Sequence, residues 1–430
     1  MTTSVKMTIT KVLLTLSIAV TVTATACSVG AEAATSASGF IVEHSVSGSP
    51  LNIVVEKPGH IWFTLPDENA IGSLVVDDTG QSTFTPYDLP TPNSEPYNLA
   101  YASNTIWFTE RAGNRIGRLD ISTGAIQEYA VPTANSMPAG IAVAPNGQVW
   151  FVESKGNKVG RFDPNTEQFI AEYIYWENSS LCGGLSGAHP ENIVVQNNNT
   201  VWFTLPDKDR VINFTLSTNR STGLKTDVKP NELLSSTLSL SGGYLGADNS
   251  LFVPQVAKTS VPSSTNECFD VGTGTGSRPF GATIDNQGAL WITTSGTDLI
   301  RRLTPGTLTF WKDYRTPTTG SEPTDITYST EGNLLRIWFV EHKSGKVGQL
   351  TVTATGKTIS LLEYTLPSAD SQPSGIAVDA NGHGWIAESG ANKIAEWRPP
   401  YFNFVFLPII FGDVSRSMNT SVPTVQQRGG

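Results

Sequence analysis

A β-propeller of four-stranded antiparallel blades is the fold class this sequence predicts, and three observations carry the expectation. Trp-Phe-Thr or a near variant recurs at Trp62, Trp107, Trp150, Trp202, Trp291, Trp338 and Trp385, with Leu251-Phe252 filling the one long gap. Each copy follows a Pro-x-Gly-Ile-like segment and precedes a Gly-Asn-x-Ile-Gly-Arg-like one, as in the run from Met137 to Asp163. Turn formers are abundant, with 39 Gly and 26 Pro in 430 residues, and only 15% of the chain is charged. Short apolar runs between turns, repeated in tandem at this spacing, mean one small sheet per copy, arranged radially.

The strands of one copy can be read in order. Ile141 to Ala144 is a short apolar strand, and Asn146-Gly147 makes a hairpin turn. Val149 to Val152, Lys158 to Phe162 and Ile170 to Ile174 then supply the second, third and fourth strands. Asp78-Thr-Gly80 and Asp120 to Gly124 are equivalent turns between third and fourth strands in other copies. Centres at seven Trp and at Phe252 give eight blades, or seven if the Phe252 region is an insertion. An open ring exposes unpaired edges. The last copy, from Gly375 to Trp397, lacks a fourth strand, so Phe40 to Ser45 is expected to complete it from the N-terminus.

The ends read differently from the array. Lys6 and Lys11 precede an apolar run from Val12 to Ala24, the pattern of an export signal over residues 1–33. Cleavage falls either before Cys27, leaving a lipid-anchored protein, or after Ala33, leaving a soluble one. The propeller is assigned to 34–398. Beyond it lie an apolar edge segment at 401–411, too short to span a bilayer, and a polar tail to residue 430. Outside the cytoplasm, Cys182 and Cys268 are either a disulfide or two free thiols, and both are expected in loops on one face.

The formal charge of −10 and the lack of a basic cluster exclude nucleic acid as a partner. The nucleophile elbow, the zinc-protease helix motif and the phosphate and dinucleotide glycine loops are missing from the sequence. Chemistry is therefore sought where the copies differ. In a blade, the start of the first strand and the end of the second share one face. The acids that follow Trp-Phe-Thr, namely Glu110, Glu153, Glu341 and Glu388, read as structural repeats. The residues flanking each proline are more individual. A purely structural repeat would keep Gly two places after the proline, but Asn52, Asn98, Asn192 and Asp325 stand there in four copies.

From these positions come Glu95, Tyr97, Asn98, Glu191, Asn192, Arg278, Thr324, Gln372 and Ser374 as ligand-binding candidates. His189 and Glu322 are the catalytic candidates, and Glu322 with Asp325 is the candidate pair for a hard cation, Mg²⁺ or Ca²⁺. A small molecule, peptide or glycan is the expected ligand at one mouth, and a monomer is the expected state.

Trp107 to Arg118, Gln127 to Thr133 and Ser136 to Ile141 resemble the repeat of the virginiamycin B (streptogramin) lyase family, and the likeness covers most of residues 39 to 398. It implies a seven-bladed propeller that linearises a cyclic depsipeptide antibiotic by Mg²⁺-dependent elimination across its ester. The metal polarises the ester carbonyl and a His is the base. The family's histidines follow the proline in the last two blades, where this chain has Thr324 and Ser374, and its Glu precedes the last of those prolines, where this chain has Gln372. An imidazole is then available only if His189 or His342 serves in another register. Two functions follow: elimination on a cyclic ester, or non-catalytic binding of a glycan, peptide or partner protein.

Overall fold

The computed structural model describes residues 41–174, 187–216, 244–245, 251–252, 265–271, 276–304 and 311–398. These form seven four-stranded antiparallel sheets and one two-stranded hairpin. Blades 1 to 3 occupy 53–88, 96–130 and 138–174, blade 5 occupies 279–315 and blade 6 occupies 323–365. Blade 4 consists of 193–215 and Thr265–Asp270, and blade 7 of 373–397 and Ile41–Ser45. The proposed signal region, Cys27, Cys182 and the 399–430 tail lie outside the described residues. Among the described residues no helix is long and apolar enough to cross a membrane.

The Trp-Phe pair explains why the sheets pack as a ring. Successive side chains of a strand point to opposite faces. Trp62 therefore enters the cluster shared by blades 1 and 2, while Phe63 enters the cluster shared by blades 7 and 1. The same division places Trp150 between blades 3 and 4, with Phe151 between blades 2 and 3. The apolar core is thus seven inter-blade clusters, and no blade buries its own faces alone. The Phe ring also explains the glycine of the third strand. A Cβ at Gly117 would lie 2.0 Å from the Phe108 ring, so any side chain there would evict it.

Seven blades, not eight, close the ring. Leu251–Phe252 pairs only with Tyr244–Leu245, and both lie between the third and fourth strands of blade 4. The Phe252 copy is therefore an insertion within blade 4, paired among the described residues only as a two-stranded hairpin. Cys268, expected in a loop, lies in the fourth strand of blade 4 opposite Ile212.

Closure runs as the sequence predicts. Ile41 pairs with Trp397 and Ser45 with Lys393, antiparallel. Glu43 of this strand takes Lys393 Nζ at 2.5 Å and the Ser368 amide at 2.7 Å. His44 is 4% exposed and approaches Glu396, which also accepts from His383 Nδ1 at 2.9 Å and Arg398 Nε at 2.8 Å. Burial opposes the charge, but the bonds from His44 and Arg398 hold the Glu396 carboxyl down to about 2.

Deleting residues 34–48 should unzip blade 7, and a melting temperature unchanged from the full chain would refute this closure. Glu396→Ala, which strands two imidazoles and a guanidinium, should cost about 3 kcal/mol or more in denaturant melts.

Candidate functional site

One face of the ring gathers the variable positions. Pro96 pairs with Glu110, Pro138 with Glu153, Pro323 with Glu341 and Pro373 with Glu388, so first-strand starts and second-strand ends share that face. The residue before the proline is left-handed in six blades: Glu95, Met137, His189, Arg278, Glu322 and Gln372, with φ between 43° and 54°. Such a backbone costs a non-glycine residue on the order of 1 kcal/mol, so something must hold it. An Asn or Asp of the preceding blade does so. Asn69 Oδ1 accepts the Ser94 amide at 2.7 Å, Asn114 Oδ1 the Ser136 amide at 2.7 Å, and Asp209 Oδ1 the Arg278 amide at 2.8 Å.

The first strands line a central channel, and at four of the seven junctions a threonine hydroxyl stitches them together. Thr64 Oγ1 accepts the Asn52 amide of its own blade at 3.1 Å and donates to the Tyr97 carbonyl of the next at 3.1 Å. Thr109, Thr204 and Thr293 make the same double bond, donating to Ala139, Phe280 and Thr324. Three blades lack the threonine, having Val152, Val340 and Ala387 instead. Their junctions are closed by the Gly140 amide on the Glu191 carbonyl, by Asp325 Oδ2 accepting the Ile376 amide, and by Ser374 Oγ donating to the Pro50 carbonyl. Asp325 and Ser374 are thus parts of the frame.

The predicted residues divide into three groups. Asn52, Asn98, Asn192 and Asp325 line a channel cavity of about 280 Å³. Burial pushes the Asp325 carboxyl up to about 6, against the two backbone amides it accepts. Tyr97 and Glu191 meet across blade 3: the Tyr97 hydroxyl donates to Glu191, and Arg111 stacks on the Tyr97 ring at 3.6 Å while its Nη2 donates to Glu191 at 2.8 Å. Sequence reasoning missed Arg111. Its signal was an arginine directly after Glu110, at the end of the second strand that pairs with the start of the strand carrying Tyr97. Glu322 and Gln372 line a cleft of about 650 Å³ between blades 6 and 7, together with His342 and Lys343.

The catalytic candidates are not brought together. His189 Nδ1 pairs with Asp207 at 2.6 Å on the blade 4 side, whereas Glu322 pairs with Lys343 at 3.1 Å in the cleft. Glu95 and Arg278 are exposed on the rim, and Thr324 gives its carbonyl to the blade 5 junction. Glu322 and Asp325 also divide, one to the cleft and one to the channel. Among the described residues no three His, Cys, Asp or Glu side chains form a metal-binding group. Glu322 and Asp325, the pair expected to hold a hard cation, thus line two different cavities.

The repeated glutamates are buried, with Glu110, Glu341 and Glu388 each 0% exposed. Burial, with Glu128 alongside, pushes the Glu110 carboxyl up to about 8. Burial with Glu43 nearby does the same for Glu388, again to about 8, and burial raises Glu341 to about 7. These acids belong to the blade scaffold, as their repetition predicts.

A seven-bladed ring with a repeated frame, its variable positions gathered on one face, defines a β-propeller. The profile of the virginiamycin B lyase family matches residues 39–227 and 250–399, and the chain belongs to that family. It is 30% identical over 122 residues to a virginiamycin B lyase of Nocardia farcinica, covering 28% of this chain and 42% of that relative, so the match spans less than half of the relative's length. A solved streptogramin B lyase superposes with a TM-score of 0.61 at 25% identity, over 83% of this chain and 96% of its own. A virginiamycin B lyase from Staphylococcus aureus aligns at 26% identity and a TM-score of 0.61, over 83% of this chain and 98% of its own. A catalytically inactive variant of that enzyme with quinupristin gives a TM-score of 0.60 at the same identity and coverage.

The buried acids set a pH dependence. A carboxyl raised in the folded state stabilises fully below its unfolded pKa, and that contribution is lost as pH rises through the folded value. Stability should therefore fall between pH 5 and 8.5, with a drop in melting temperature on the order of 5 °C. Glu110→Gln with Glu388→Gln should flatten the curve. Glu396, depressed to about 2, acts in the opposite sense, and its contribution is lost only as pH falls below the ordinary carboxylate range. A wild-type melting temperature that is flat or rises over the upper range would contradict the assignment.

Proposed function

We propose that this protein is an exported member of its family that takes a cyclic ester or depsipeptide at the mouth and opens it by elimination, with His342 as the base. One observation carries the reading: within the cleft between blades 6 and 7, His342 Nδ1 lies 3.2 Å from the Pro373 carbonyl. A carbonyl only accepts, so this bond keeps the proton on Nδ1 and leaves Nε2 as the basic nitrogen. In the elimination, that nitrogen removes a proton from the carbon next to the one bearing the ester oxygen. The C–O bond breaks, a C=C bond forms, and the ester departs as a carboxylate without consuming water. Lys343 lines the same cleft and can meet the departing charge. Its ion pair with Glu322 is exposed, and such a pair is worth about 0–1 kcal/mol, so an incoming carboxylate displaces it at little cost.

Export rests on Lys6, Lys11 and the apolar run from Val12 to Ala24. The strand directions suit it. Ile41 and Trp397 lie opposite each other at the face away from the mouth, so the N-terminal segment joins the ring on the face opposite the candidate site. A second reading, non-catalytic capture of a glycan, peptide or partner protein, is favoured by Thr324, Ser374 and Gln372 standing where the resemblance places its histidines and glutamate.

Incubation with a streptogramin B in Mg²⁺ buffer separates the two. Elimination yields a linear product of unchanged mass, whereas hydrolysis adds one water. We expect the isomeric product from the wild type, a loss of about 10²–10⁴-fold in His342→Ala, and retention in His189→Ala. Product that survives His342→Ala, or a hydrolysed product, would sink the proposed base. Binding without any product would leave the capture reading.

A further inference from the structure

The place directly after the second-strand acid carries His342 in blade 6, and the same place in blade 2 carries Arg111. Both give their amides to the residue before the proline, Arg111 to the Glu95 carbonyl at 2.9 Å and His342 to the Glu322 carbonyl at 3.2 Å. Both therefore stand at the mouth. The Arg111 guanidinium lies 3.6 Å from the centre of the Tyr97 ring, and its Nη2 reaches both oxygens of Glu191, at 2.8 and 2.9 Å. The Tyr97 hydroxyl donates to the same carboxylate. Tyr97 belongs to blade 2 and Glu191 to blade 4, so the three side chains bridge blade 3. They meet because the first strand between them is small, with Ala139 fully buried and Gly140 lacking room for a Cβ, which would lie 2.8 Å from the Asn192 Cα. Blades 4 and 5 separate blade 3 from blade 6, and blades 2 and 1 separate it from blade 7, so the bridge stands opposite the cleft in the ring.

The frame does not need this bridge. The junctions on either side of blade 3 are already closed, by Thr109 on the Ala139 carbonyl and by the Gly140 amide on the Glu191 carbonyl. What the bridge does is fix a guanidinium: the Tyr97 ring sets its plane and Glu191 its direction. Burial and the Glu191 charge push the ionisation of the Tyr97 hydroxyl up, so it stays a donor. Glu191 engages Nη2 alone, which leaves the Nη1 donors outside the ion pair, and the buried Nε has no partner. Because Glu191 already neutralises Arg111, a second carboxylate would be repelled, and a neutral oxygen is the acceptor that fits. We propose that Arg111, held by Tyr97 and Glu191, is a specificity-determining residue that donates to a neutral amide or ester carbonyl of the ligand. The proposal rests on the mouth taking a ligand, as both readings above require, and not on elimination. A depsipeptide ring carries such carbonyls around its whole circuit. One of them held at Arg111 stops the ring from turning in the mouth and keeps a single ester toward His342.

Calorimetric titration with a streptogramin B tests it, read in the His342→Ala background so that turnover does not blur binding. Arg111→Ala should weaken the affinity by about 10–100-fold, the usual worth of a hydrogen bond from a charged donor. Arg111→Leu with Glu191→Gln removes the donors without stranding a charge, and should give the same loss at a melting temperature near wild type. Tyr97→Phe keeps the stack but drops one hold on Glu191. It should weaken binding by about 2–10-fold and, with His342 present, raise KM while kcat stays unchanged. Unchanged affinity in both Arg111 variants would overturn the subsite, and a loss confined to Lys343→Ala would then leave the cleft reading standing. A fall in kcat at constant KM in Tyr97→Phe would also overturn it. No binding by any form would remove the subsite together with both readings of the mouth.

Discussion

The hydroxyl of the second-strand threonine is the interaction on which the ring depends. It accepts from its own first strand and donates to the next, and so fixes four of the seven junctions at the channel wall. Buried backbone carbonyls must find donors, which is why the three blades without a threonine do not leave the junction open. Gly140, Asp325 and Ser374 each supply a different solution. The frame therefore constrains function directly. Ser374 cannot donate to the Pro50 carbonyl and also give its proton to a ligand, and Asp325 has half of its acceptor capacity already in use.

The fold was largely legible because its signals are local and repeated. The alternation of Trp and Phe specifies two opposite faces, and seven copies of that alternation specify seven shared clusters. The closing strand was legible from an unpaired edge at each end of the array. The blade count was less secure because a turn followed by Leu251-Phe252 satisfies the same local pattern as a true second strand. What disqualifies it is that among the described residues it pairs only with Tyr244–Leu245, and pairing is a property of the sheet that no short segment displays. Cys268 was misplaced for the same reason: the insertion hides how far the fourth strand of blade 4 lies from its third.

The candidate site was legible only as a face. Strand direction places the proline-flanking residues around one mouth, and the contact between Tyr97 and Glu191 across a whole blade shows how closely they approach. Which of them act together depends on side-chain reach around the circle, and the sequence carries no measure of that. His189 and Glu322 seemed comparable as proline neighbours, yet each is paired within its own blade. His342 and Lys343, which follow a repeated scaffold glutamate, lie beside Glu322 because the end of the second strand of blade 6 pairs with the start of its first, the His342 amide donating to the Glu322 carbonyl.

The additions to this chain respect the same division of faces. In blade 4 the third strand ends at Thr215, opposite Thr200, and the fourth begins at Thr265, so the insertion leaves and returns away from the mouth. Ile41 enters and Trp397 exits on that same side. Extra sequence hung from the far face leaves the threonine stitches and the left-handed proline turns undisturbed, because both lie at the mouth and along the channel wall. The mouth can thus vary one side chain at a time while the far face varies by whole segments. A family built on this frame can therefore change what its members bind without rebuilding the ring.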